Sequence, residues 1–298
     1  MRQGAMPPRR TQRRTARWAS GLTGHAGPRA APTLAFRRTF CLVAASLVAY
    51  TLTPSALAAG DSPATRSAQR APGVQVAGLP FPGTAAVGAL FTSSGGTLRA
   101  HFCTASVINS PAGDLLITAA HCMQGKPLSP AGRVVFAPGY HDGVFPYGTW
   151  PVTAVYVDSE WQQSRDPNDD IAFLTTGGPH PDIQRLTGAE TLMLDQPPQQ
   201  VQVVGYPDQT NEPISCAAPA RRFGTGQMVF DCDNYTNGTS GGPFLADVGP
   251  ATGDGWVIGV IGGYQQGGDS PNVSYSPRFF SSLLSLYQTA ISGGQQPG

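Results

Sequence analysis

The sequence predicts an all-β fold finished by a single C-terminal helix. Short apolar runs recur between Gly, Pro, Asp and Asn: AVGALF, ASVI, LLITAA, RVVFAP, VTAVYV and IAFLTT, then VQVVGY, GQMVF, GPFLA, WVIGVIGG and VSYS. Runs this short and this rich in β-branched residues suit a pleated, half-buried surface. Their regular spacing points to a sandwich or barrel. Only RFFSSLLSLYQTAIS reads as helix, because Phe279, Leu283, Leu286 and Ile291 fall near a 3.6-residue period. With 37 glycines, 28 prolines and only 12% charged residues among 298, the composition is that of a turn-rich exported protein. It has no internal repeat and no coiled-coil charge pattern.

The two series of runs are separated by a Pro- and Gly-containing stretch at about 176–198, the natural connector between two domains. Residues 59–80 are rich in Ala, Pro, Gly and Ser and read as a linker or short pro-segment. A polar Gly/Gln/Pro tail, 288–298, closes the chain.

Charge is divided unevenly. Residues 1–58 hold nine arginines and no acid, whereas the rest holds ten basic against eighteen acidic residues, a formal charge of −8. A basic arm for nucleic acid is one reading of the arginines. They stand directly before the apolar run Phe40 to Leu52, however, and Ala56-Leu57-Ala58 follows as a small-x-small cleavage pattern. Residues 1–58 are therefore expected to be an export signal, and the apolar run is too short for a membrane anchor. RRTFCL resembles a twin-arginine signal, though the usual Ser or Thr before the pair is lacking. The expected product is secreted and extracellular, with no stable membrane association and no nucleic-acid partner.

Removing the signal removes Cys41 and leaves Cys103, Cys122, Cys216 and Cys232. An even count in an exported chain suggests two disulfides, with three pairings possible. Proximity favours Cys103–Cys122 and Cys216–Cys232. Each would close a loop of fewer than twenty residues, worth about 3 kcal/mol in the chain-entropy model. No Cys-x-x-Cys or His-x-x-x-His spacing supports a zinc site, so no metal and no cofactor is expected.

The stretch NYTNGTSGGPFL sets Ser240 among glycines. Such backbone lets amides converge on one point, as a developing oxyanion requires. A serine becomes nucleophilic only beside a base that is itself oriented. Of the five histidines, His25 is lost with the signal, and His141 and His180 lie in turn-like sequence. His101 sits in AHFCTASVI, while His121 ends LLITAAHC with small residues and a cysteine to hold it. A histidine there is more often structural, but a rigidly placed base needs such a position. In DPNDDIAFL, Asp170 enters an apolar run, and strand alternation turns Asp169 the other way. GTSGG also fits a nucleophile elbow, but that order requires a histidine after the serine and none follows Ser240. The remaining order is His121, Asp170, Ser240.

With these residues in place, the chain resembles the chymotrypsin-like (trypsin-fold) serine proteases of the secreted bacterial type. HFCTASVI resembles His-Phe-Cys-Gly-Gly-Ser-Leu-Ile, ITAAHC matches the histidine motif, DDIAFL resembles Asp-Ile-Ala-Leu-Leu, and GTSGGP resembles Gly-Asp-Ser-Gly-Gly-Pro. The resemblance covers about residues 80–285. It implies two six-stranded antiparallel β-barrels, 81–182 and 183–287, the second carrying the C-terminal helix. It implies His121, Asp170 and Ser240 as a triad in the cleft between them, and the amides of Gly238 and Ser240 as the oxyanion hole. It further implies a disulfide between Cys103 and Cys122, a protein or peptide substrate, and a monomer. Asn234 and Tyr235 fall where the base of the specificity pocket would be. Gly262 and Gly263 would offer backbone to an extended substrate, with Tyr264 partly filling the pocket. Ile261 stands where glutamyl-specific relatives carry a histidine, which argues against that preference.

One departure concerns activation. Thr239 occupies the place of an Asp that, in zymogen-type members, pairs with a new N-terminal amine. Activity is therefore expected not to wait for that switch. The alternative to an endopeptidase is a non-catalytic homologue that binds a partner through its cleft.

Overall fold

The structure, a computed structural model, describes residues 76–129, 132–178 and 182–293. The expected export signal, His25, Cys41 and His180 lie outside these residues. Among the described residues no helix is long and apolar enough to cross a membrane.

The first sheet is a closed barrel. Its strands are β2 (Val87–Ser94), β3 (Thr97–Val107), β4 (Leu115–Thr118), β6 (Gly132–Pro138), β7 (Trp150–Val157) and β8 (Ala172–Thr176). They run β2-β3-β4-β8-β7-β6, and β2 pairs with β6 to close the ring. A short β5 (Leu128–Ser129) extends from β6. Leu90, Ala105, Leu116, Phe136, Trp150 and Leu174 fill the interior. Closure leaves this barrel without the exposed edges that an open sheet presents.

The second sheet carries β10 (Gln200–Gly205), β11 (Ile214–Phe223), β12 (Gln227–Asp231), β13 (Pro243–Ala246), β14 (Trp256–Val260) and β15 (Val273–Pro277) in the order β15-β12-β11-β10-β13-β14. Its two ends meet where the Gly262 amide donates to the Tyr275 carbonyl at 3.0 Å. A short β9 (Thr191–Leu192) from the connector adds in parallel to β14. A two-residue β1 (Leu79–Pro80), at the end of the span read as linker, pairs with β11. The last residues of that span thus belong to the sheet. Val201, Val203, Ala218, Phe230, Phe244 and Ile258 form the core here.

A third apolar cluster joins the two sheets. Val87, Ile117 and Phe173 from the first meet Val204, Tyr206, Leu245 and Val260 from the second. Phe279 and Leu283 of the C-terminal helix region enter the same cluster, with Leu286 and Ile291 packed against it. All four residues expected on the helix's apolar face therefore point inward. Each such side chain, taken fully from water, contributes about 1.5–3 kcal/mol before entropy is counted. The helix itself runs Ser282–Ile291, and the Tyr287 hydroxyl donates to the Asn109 carbonyl at 2.9 Å.

Candidate active site

β4 ends at Thr118, and a single turn of 3-10 helix, Ala120–Met123, carries His121 out of the first barrel. The disulfide Cys103–Cys122 ties that turn back to β3, and Cys216–Cys232 ties β11 to the end of β12. Both proximity pairings are the ones formed. Asp170 follows a second 3-10 turn, Pro167–Asp169, whose start is capped by the Asp166 carboxylate accepting from the Asn168 amide at 2.9 Å.

The Asp170 carboxylate is fully buried and completely bonded. Oδ1 accepts from the His121 backbone amide at 2.8 Å. Oδ2 lies 2.7 Å from His121 Nδ1 and accepts from the Gly263 amide at 2.8 Å. An acceptor on Nδ1 places the proton there and leaves Nε2 as the basic lone pair. Nε2 lies 3.8 Å from Sγ of Cys122. Asp169 is partly exposed and lines a different cavity with Leu283 and Leu286, so adjacent carboxylates do face opposite ways. Burial, with Asp158, Asp166 and Glu160 nearby, pushes the Asp169 carboxyl up to about 6.

A cavity of about 730 Å³ opens in front of His121. Its lining includes Tyr235, Thr236, Gly238, Thr239, Ser240 and Ile261, so His121 and Ser240 share one space. Gly238 takes φ +92°, and a Cβ there would come 2.5 Å from the Asp208 amide and the Tyr206 carbonyl. Only glycine fits. Thr239 is buried, and its hydroxyl donates to the Thr236 carbonyl at 2.7 Å, a purely local bond.

Several expected binding residues stand elsewhere. Asn234 is exposed with φ +75°, and its side chain donates to the Gly78 carbonyl at 3.0 Å, lining a separate groove. Its left-handed backbone turns it away from the cleft. Tyr235 does line the cleft, but it is buried and its hydroxyl is committed to the Val203 carbonyl at 2.7 Å. Gly262 and Gly263 have no amide to offer a substrate, since one donates to Tyr275 and the other to Asp170. Tyr264 stacks with Phe223 and Tyr275 outside the cavity lining. Asp231 pairs with Arg221 at the surface, and Asp233 takes backbone bonds with Val76 and Gly78. The cavity wall is built instead from Thr236, Ile261, Gly267, Gly268 and Ser274. His101 is structural: its Nε2 bonds to the Thr210 carbonyl at 2.9 Å, amid Phe91, Tyr140 and Tyr206.

Two buried residues that matter to this geometry were not singled out from the sequence. Gln227 donates to the carbonyl of Pro167 at 2.9 Å and to Asn168 at 3.0 Å, and accepts from the Tyr264 amide at 3.2 Å. It thus joins the loop before Asp170 to the loop after Gly263. Thr104 bonds the Gly238–Ser240 loop itself, its hydroxyl donating to the Gly238 carbonyl at 3.0 Å. Its signal was available: it stands in HFCTASVI where the quoted motif has glycine.

Solved structures with this architecture include bacterial proteases. The chain is similar to the protease Anisep from Arthrobacter nicotinovorans (TM-score 0.59, 22% identity, 72% of this chain and 98% of that one). It is likewise similar to AL20, a thermostable serine protease from an extremophilic microorganism (TM-score 0.59, 27% identity, 70% and 98%). A Glu endopeptidase shares the fold at 16% identity (TM-score 0.56, 74% and 98%). Two β-structured halves with a His–Asp pair and a serine in the cleft define the chymotrypsin-like class of peptidase fold. The trypsin-like peptidase domain matches residues 103–253, and the chain belongs to that family.

A curated relative, the "Extracellular metalloprotease" of Bacillus subtilis, is 27% identical over 142 residues, which is 47% of this chain and 44% of that protein. The chain thus spans less than half that relative's length. Among the described residues, the one group close enough to hold a metal is Cys103, His121 and Cys122. Its two sulfurs are bonded to each other, so neither is a thiolate and the set does not fit a metal ion.

Proposed function

We propose that this chain is a secreted serine endopeptidase with Ser240 as nucleophile, His121 as base and Asp170 as its orienting acceptor. The observation that carries the reading is the buried Asp170 carboxylate 2.7 Å from Nδ1 of His121, a residue that lines one cavity together with Ser240. In acylation Ser240 Oγ bonds to the scissile carbonyl carbon, its proton passes to His121 Nε2, and the carbonyl electron pair moves onto oxygen. The amides of Gly238 and Ser240 would hold that oxyanion. Collapse breaks the C–N bond, and the proton on Nε2 goes to the leaving amine. Water repeats the sequence in deacylation, releasing the carboxylic acid and restoring Ser240. Asp170 orients the ring and stabilises the imidazolium.

Secretion is supported by the two disulfides, by the extracellular relative and by the arginine-rich, apolar start of the sequence. The test is hydrolysis of casein and of a peptide library by the mature protein. Cleavage that disappears in a folded Ser240→Ala variant supports the reading, and cleavage that survives it removes Ser240 from the role.

A further inference from the structure

An oxyanion hole works only if its peptide planes are fixed before the reaction. Two bonds from outside the nucleophile loop fix the plane on each side of Gly238. The Asn237 carbonyl accepts from the Asp208 amide at 2.7 Å. In a trans peptide the Gly238 N–H then points the opposite way. The Gly238 carbonyl accepts from the Thr104 hydroxyl at 3.0 Å, across 134 positions of sequence. The same residue's amide donates to the Ser240 carbonyl at 2.8 Å.

Thr104 is itself rigid. It is fully buried on β3 of the first barrel. Its Oγ1 also accepts from the Tyr206 amide at 2.9 Å, and its carbonyl accepts from the Thr118 hydroxyl at 2.7 Å. The hydroxyl therefore has one donor and one acceptor on the second barrel, which leaves it a single orientation. Among the described residues, no other side chain bonds to Gly238 or Ser240. The Thr239 hydroxyl, within the loop, bonds only to the Thr236 carbonyl.

We propose that Thr104 is a positioning residue of the oxyanion hole: from the opposite barrel, its hydroxyl and amide lock the peptides that follow Gly238 and Ser240. The consequence is a loop held from both sides: Asp208 fixes the peptide that carries the Gly238 N–H from within the second barrel, and Thr104 fixes the peptides that follow Gly238 and Ser240 from the first. This rests on the serine-peptidase reading above.

The test uses the secreted protein and a quenched-fluorescent peptide that the unmodified protein cleaves. Thr104→Val keeps the side chain's shape and removes the hydroxyl. It is expected to lower kcat by about a hundredfold with KM within about twofold. Affinity for a peptide aldehyde, whose hemiacetal oxygen occupies the hole, should fall by the same factor, and affinity for the product peptide should not. Thr104→Ser should stay within about threefold of the unmodified kcat. Thr187→Val removes a buried hydroxyl bond far from the cleft and controls for stability alone. If Thr104→Val melts lower, as Thr187→Val does, yet keeps its kcat and aldehyde affinity, the proposal is overturned. Should Thr104→Val not fold, Thr104→Ala, where water can bridge Tyr206 and Gly238, carries the test. A loss of tenfold or more supports the proposal, by a rule of about 1.4 kcal/mol per factor of ten, and an unchanged kcat overturns it. An unmodified protein that neither cleaves peptides nor reacts at Ser240 overturns the peptidase reading and this one together.

Discussion

The amide of Gly263 donates to Oδ2 of Asp170 at 2.8 Å, so the second barrel holds the acid that the first barrel supplies. Gly263 takes φ +78°, and a Cβ there would lie 2.2 Å from Gln227 Oε1. Gly263→Ala should therefore shift the loop that carries this amide. We expect a stability loss of more than about 1 kcal/mol, from alanine forced into left-handed backbone, together with a fall in kcat. Thermal melting and steady-state kinetics check both. An unchanged kcat would show that the Asp170–Gly263 bond has no part in turnover.

Asp170→Asn leaves one oxygen to serve three donors: the His121 amide, the Gly263 amide and His121 Nδ1. An asparagine that turns its NH2 toward the ring drives the imidazole into the tautomer protonated on Nε2, which cannot act as base. Turnover should fall by about 10⁴ while KM changes little. A loss under tenfold would mean that another group orients His121.

Cys103→Ser opens a loop whose ends are 19 residues apart. The chain-entropy account gives a cost of about 3 kcal/mol. The His121 turn keeps its Asp170 bonds, so melting temperature should fall more than kcat. Equal loss of activity with unchanged melting would contradict this.

Glu190 supplies a pH dependence separate from the triad. It is fully buried beside Asp254, its Oε2 accepts from the Gly255 amide at 2.5 Å, and its Oε1 has no partner. Burial raises its carboxyl from 4.5 to about 8, with Asp254 adding to the effect. The sign follows from linkage. Between the two values the unfolded chain releases this proton and the folded chain keeps it, so stability falls as pH rises from about 4.5 to 8. Glu190→Gln should leave melting little changed at pH 4 and raise it progressively, relative to the unmodified protein, up to pH 8. A difference between the two proteins that does not vary with pH would contradict the assignment.

Most of the strands were legible because their apolar runs alternate or stay buried between turn residues. β11 was not. Its buried positions are Ile214, Cys216, Ala218 and Ala220, three of them small, with Pro219 among them. Small residues give the inward face of a barrel almost no hydrophobic signal. The triad candidates were legible because each sits in a local motif, and chain order eliminated the other arrangements. The lining of the cavity beside Ser240 was not legible, because it depends on backbone turns. A left-handed φ at Asn234 sends its side chain to Gly78, and the amides of Gly262 and Gly263 are spent on Tyr275 and Asp170. None of these follows from spacing. Thr104 was half legible: its place where the motif has glycine was visible, but a hydroxyl inside an apolar strand declares a bond and not its partner, which here lies on the other barrel.

The central claim is that His121 and Asp170 make the Ser240 hydroxyl reactive, and a fluorophosphonate probe reads this directly. The mature protein, treated with the probe and digested for mass spectrometry, should carry the phosphonyl group on Ser240 alone, and His121→Ala should slow labelling by at least about a hundredfold. An unlabelled Ser240 in folded protein, or labelling indifferent to His121, would contradict it.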